Sequence, residues 1–173
     1  MTSCAELLRS PTMTPITKWF YLVTLAVWVG SIIFFSSIVA PTVFKTLKPE
    51  DAAALIRRIF SKYYLIGLVC AAVDIVCVGL LVADRAFGKW PGILSLLLLA
   101  SMGGTDLWLR QGVMPRMNSL RDRRAAAESG GGQPDEEQEQ EWKALHRLSV
   151  QMNGAVLLCA LVLVFLVVYA RVV

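Results

Sequence analysis

The chain has 173 residues, of which 56% are hydrophobic and only 17% charged, with a mean hydropathy of +0.59. Soluble domains carry about 25% charged residues, so the composition argues against a water-soluble globular domain, and one compact membrane domain fits the length. The net charge of +4 gains meaning only once the charges are assigned to loops. Cys4, Cys70, Cys77 and Cys159 make no disulfide framework, since three of them lie inside apolar runs.

Residues 1–17 read as a polar leader without periodicity, with Met13 as an alternative start and no apolar run before Cys4. Residues 20–40 carry no charge. That run exceeds the apolar core of a cleavable signal, and Pro41 stands where the residue after a cleavage site would be, so it reads as a retained first span. Lys48-Pro49-Glu50-Asp51 starts a helix: proline suits the first turn, and acids suit the positive end of the dipole. Ala52, Leu55, Ile56, Ile59 and Phe60 then set off one side from Arg57, Arg58 and Lys62, an amphipathic lead-in at the interface that runs unbroken into a second span, 63–83.

Asp84, Arg85, Gly88 and Pro91 form a short turn before a third span, 92–109. A basic extension and a flexible linker at about 128–134 follow. An acidic helix start then leads through Trp142 to a fourth span, 148–170. At 1.5 Å per residue that last run is about 34 Å of helix, enough to cross a core of about 30 Å. No internal repeat is plain in the residues, although spans one-two and three-four form two hairpins of similar plan. Twelve Lys and Arg fall in the loops after spans one and three, against five elsewhere. This bias puts the long loops in the cytoplasm and both termini on the opposite side. It accounts for the basic segments without nucleic acid.

Polar residues inside spans need an account, because an ionisable group there costs at least about 2.5–3.5 kcal/mol. His146, Ser149 and Asn153 share a helix face, and lipid cannot satisfy such a stripe. With Trp28, Ser36, Asp74 and Asp106 they make up the expected intramembrane polar cluster. Asp106 has Arg110 one turn on, with Arg147 at the same level, so the Asp106–Arg110 pair is the expected ion pair. Asp74 has no Lys or Arg at its depth. It is expected to be protonated, hydrogen-bonded or holding a cation.

Cys70, Asp74 and Cys77 share one face and are candidate ligands for a thiophilic metal. Gly67 and Ala71 on that face instead suggest close helix packing, with cysteine as an ordinary small apolar residue. A haem bundle would want paired axial histidines, and His146 is single; Met114, Met117 and Met152 are soft ligands near the same membrane face. Phosphate-loop, dinucleotide, nucleophile-elbow and zinc-helix signatures are absent, which argues against an enzyme.

Trp28, Gly30, Phe34, Ala40-Pro41-Thr42-Val43-Phe44, the Phe60 to Tyr64 entry, Met114-Pro115-Arg116-Met117-Asn118, and Trp142, His146, Ser149 and Asn153 follow one another along the chain. That ordered set resembles the transmembrane protein 205-like family over most of residues 20–170. The resemblance implies a four-span membrane domain of unassigned activity. It also implies a distant link to metal resistance: the eukaryotic namesake is associated with platinum-drug resistance, and bacterial members look like copper resistance protein D. This sequence departs from a dedicated copper protein in lacking a His- or Met-rich face.

The expectation is therefore an all-α integral membrane antiparallel four-helix bundle with juxtamembrane helical extensions. Its leading role is non-enzymatic, accessory to transport or a subunit that binds a membrane-protein partner or a second copy of itself. Metal or small-ligand binding or translocation is the alternative, and a haem or quinone redox protein a third.

Overall fold

Tyr21, Leu25, Trp28 and Ile32 recur at helical spacing and are all buried, so the first helix presents one inward stripe and leaves Phe20, Val27, Ile33 and Phe34 outside. In the computed structural model this helix, α1, runs Met13–Phe34, earlier than the expected span because Thr14 to Lys18 continue the same helix. A π turn, Phe35–Val39, and α2, Ala40–Thr46, extend it. Then come α3, Pro49–Ala83, α4, Lys89–Trp108, a second π turn, Leu109–Val113, α5, Met114–Ser129, and α6, Glu136–Tyr169. The structure describes residues 13–131 and 135–169. Cys4 with most of the leader, the middle of the linker and the chain end with Arg171 lie outside the described residues.

Four helices are long and apolar enough to cross a membrane: Thr14–Thr46, Glu50–Ala83, Lys89–Ser129 and Glu136–Tyr169. The amphipathic lead-in and the second span are one helix, as the periodicity predicts. Helix α1 packs on α3, α3 on α4, α4 on α6 and α6 back on α1. The result is a square antiparallel bundle, and this is an integral membrane protein. Its outer face is apolar, with Trp90, Leu97, Leu158, Phe165 and Val168 among the exposed side chains, as lipid requires.

Both π turns precede a proline, Pro41 and Pro115. Proline has no N–H and its ring collides with the carbonyl four residues back, so the turn before it widens to keep the helix continuous. The two hairpins correspond further than their plan suggests. The buried stripe Tyr21, Leu25, Trp28, Ile32, Phe35 is met at constant spacing by Ser95, Leu99, Met102, Asp106, Leu109. Likewise Tyr63, Cys70, Asp74, Cys77, Leu81 in α3 correspond to Ser149, Val156, Ala160, Leu163, Val167 in α6. The chain is thus a parallel pair of hairpins with equivalent inward positions, the pattern of repeats related by an axis along the membrane normal.

Candidate functional site

Inside this apolar-faced bundle are two layers of polar side chains, each centred on a fully or almost fully buried carboxylate. The first holds Asp106 of α4, 2% exposed. Its partner is the Trp28 indole N–H from α1, which donates to the carboxylate. Both sit against Gly67 of α3, where a Cβ would collide with the Asp106 carboxylate and lie 3.0 Å from Trp28 Nε1. Glycine is required here by space. One turn along the same face, a Cβ at Gly103 of α4 would lie 3.1 Å from that of Ala71. The Gly67–Ala71 seam is therefore the close α3–α4 contact that its small residues predict.

Next to this layer, the Tyr63 hydroxyl donates to Asn153 Oδ1 (3.1 Å), and Asn153 Nδ2 donates to the Tyr64 hydroxyl (3.2 Å) and the Ser149 carbonyl (2.9 Å). Diagonal helices α3 and α6 are joined across the bundle in this way. Buried Ser149 turns its own hydroxyl back to the His146 carbonyl, 2.8 Å away.

The second layer lies about two helical turns from the first, near 10 Å along α3 at 1.5 Å per residue. Asp74 is 0% exposed. Its Oδ1 is bonded by the Thr24 hydroxyl of α1. Tyr21 of α1 and Ser95 of α4, both fully buried, face each other with Asp74 and Cys77 nearby. Neither hydroxyl closes a hydrogen bond of normal geometry, and Asp74 Oδ2 also has no partner among the described residues.

Trp28, Asp74, Asp106, Ser149 and Asn153 thus lie in the interior, divided between two layers, and two expected members lie elsewhere. Ser36 is exposed: eight residues beyond Trp28 it has turned about 80° at 100° per residue, and Phe35 takes the inward place. His146 is also exposed and stacks on Trp142, with ring centroids 5.2 Å apart. The Asp106–Arg110 ion pair does not form. Arg110 lines an interfacial cavity of about 290 Å³ with Arg57, Ser61, Tyr64 and Asn118, where its guanidinium keeps access to water. The wide turn beginning at Leu109 carries it off the Asp106 face.

The thiophilic set fails on geometry as well. Among the described residues no three His, Cys, Asp or Glu side chains converge, since Cys70 and Cys77 stand two turns apart, about 10 Å. The cluster members that the sequence did not suggest are Tyr21, Thr24, Ser95, Tyr63 and Tyr64. Tyr21 opens the inward stripe of α1 and Thr24 stands three residues on, beside Leu25, which was the available signal.

All the ion pairs among the described residues lie beyond the apolar spans. Arg57 of α3 meets Asp122 of α5 at 2.5 Å, and Arg116 of α5 meets Glu141 of α6. Arg124 bridges Glu128 at 2.9 Å and Glu139 at 3.6 Å. Arg121 sits 5.3 Å over the Trp142 ring. A cavity of about 600 Å³ between these extensions, floored by Phe44, Leu47, Ala52 and Leu120, is remote from both carboxylates.

A family model described as "Domain of unknown function (DUF4149)" matches residues 23–126, more than half of the chain. The chain belongs to this family. The matched part of the DUF4149 domain contains Trp28, Gly67, Asp74, Ser95, Asp106 and both π turns, and ends before α6. An "Uncharacterized protein" of Aquifex aeolicus (strain VF5) is 36% identical over 81 residues, which is 45% of this chain and 57% of that protein. No solved structure matches.

Proposed function

We propose that this DUF4149 protein is a non-enzymatic membrane bundle that binds a proton or small cation on its buried carboxylates and serves in, or alongside, transport. One observation carries the reading. Asp74 and Asp106 are buried without a cationic partner among the described residues, at positions whose counterparts in the other hairpin are Ala160 and Ile32. An apolar residue satisfies the same packing role, so the fold does not call for a carboxylate at either place. A buried ionisable group in a span is costly and marks ion pathways and proton relays. The cavity at Arg57 and Arg110 supports entry from the basic end, because its wall, Tyr64, joins the Asn153 network beside Asp106.

Kinship with the transmembrane protein 205-like family is part of the proposal, supported by the ordered motif set and by the four-span architecture it implies. The oxygen-rich interior departs from the soft-metal role attached to that family.

The test is flux in proteoliposomes loaded with a pH-sensitive or a sodium-sensitive dye. The expected result is proton or cation movement in the wild type that Asp74→Asn and Asp106→Asn each reduce at least tenfold, with unchanged helical circular dichroism. If the protein is accessory to another transporter, the flux is absent alone but unfolding still responds to pH or cations through the same two residues. Folded protein whose flux and stability ignore both substitutions would sink the reading.

A further inference from the structure

The Asp74 layer contains more oxygen atoms than its protons can serve. Thr24 Oγ1 lies 2.7 Å from the Phe20 carbonyl and 3.2 Å from that of Tyr21, and also contacts Asp74 Oδ1. A hydroxyl has one proton to donate. If that proton goes to the backbone carbonyl, Thr24 Oγ1 and Asp74 Oδ1 are left facing each other with nothing positive between them. Asp74 Oδ2 adds an oxygen that is fully buried and unpartnered among the described residues, and the Tyr21 and Ser95 hydroxyls, fully buried and facing each other without a hydrogen bond of normal geometry, add two more. A buried polar group left unsatisfied keeps its full desolvation penalty. Three on neighbouring faces of α1, α3 and α4 point to a common occupant.

The chemistry of the occupant follows from the donors. All five atoms are hard oxygens: two from a carboxylate, two from aliphatic hydroxyls and one from a phenol. Hard oxygen sets select hard cations rather than thiophilic ones. One carboxylate balances one positive charge, and a second charge would stand uncompensated in a low-dielectric interior. Depth agrees as well: Asp74 lies about 14 Å from the end of α3 at 1.5 Å per residue, near the middle of a core of about 30 Å. Coupling ions bind at that depth, between repeats, in secondary transporters.

We propose that Asp74, Thr24, Tyr21 and Ser95 form a site for one dehydrated monovalent cation of the sodium type. This rests on the ion-binding reading above and names the ion. The titratable groups around Asp74 are Tyr21 from α1, Cys70 and Cys77 on α3 itself, and Asp106 two turns away from α4. None of these is a cation at neutral pH that could occupy the site in place of a bound ion.

The experiment is thermal unfolding of the full chain in mild detergent, titrated with NaCl against KCl and choline chloride at constant ionic strength and several pH values. The expected result is a saturable rise in midpoint with sodium alone. Asp74→Asn and Ser95→Ala should weaken the apparent sodium affinity at least tenfold, and Tyr21→Phe should weaken it too, while Asp106→Asn retains the response. A sodium response that survives Asp74→Asn overturns the site. No sodium response, with a pH-dependent midpoint that Asp74→Asn removes, makes the bound species a proton; the cation proposal then falls and the ion-binding reading stands. Indifference to both sodium and pH removes both.

Discussion

At the scale of single residues, the interior is organised by where a carboxylate replaces an apolar side chain. The repeat offers its own control. Asp74→Ala copies Ala160, and in sodium-free buffer we expect it to leave the bundle as stable as the wild type or more so, within about 1 kcal/mol, since removing a buried acid that has no cationic partner offsets the small cavity. A cooperative loss of fold in detergent melts would instead make Asp74 structural. Gly67→Ala tests the other layer. The added Cβ meets the Asp106 carboxylate and Trp28 Nε1, and overpacking of this kind costs about 1–3 kcal/mol. The melt should shift down accordingly, with a change in Trp28 emission as its hydrogen bond is displaced; an unchanged melt and spectrum would mean that the seam can open.

At the scale of elements, the two proline-linked π turns set the angular phase of everything after them. A π turn holds one residue more than an α turn, so deleting Gln111 within Leu109–Val113 should close it and leave α5 in phase, whereas inserting one alanine after Val113 should rotate α5 by about 100°. In the insertion variant buried Met117 and Leu120 would turn outward, and the Arg57–Asp122 and Arg116–Glu141 pairs would part. Helical circular dichroism should persist in both while trypsin cuts α5 faster in the insertion variant only; equal cleavage would show that α5 docks without regard to phase. The ion pairs themselves are exposed and each worth about 0.2–1 kcal/mol.

Lys143 and Arg124 hold the Glu139 carboxyl below its ordinary value. Its contribution is therefore present above the unfolded glutamate value and lost as pH falls through the lowered folded value. Hydrogen exchange should show α5 and the start of α6 loosening in acid before the spans do.

At the scale of the whole molecule, sidedness is a proposal from the distribution of Lys and Arg. A cysteine at Ser119 should be labelled by a membrane-impermeant maleimide only after permeabilisation, and one at Lys89 in intact cells. The reverse pattern would invert the topology.

The sequence by itself determined four spans, their helical extensions and the presence of acids in the interior, because lipid imposes length and polarity on every residue of a span. It also located the Gly67–Ala71 contact, since small residues at helical spacing have one common use. What it could not decide was which polar residues meet. Ser36 stands about 80° round from Trp28 even on an ideal helix, and His146 shares the face of Ser149 but is exposed at the start of the stripe, so Phe35 and Trp142 take the packing positions instead. Arg110 sits one turn from Asp106 along the chain, but a guanidinium seeks the interface. Tyr21, Thr24 and Ser95 come together with Asp74 from three helices, a meeting fixed by the relative rotation and height of α1, α3 and α4. Only tertiary structure supplies that information, because pairing across a bundle depends on register between helices that no single span encodes.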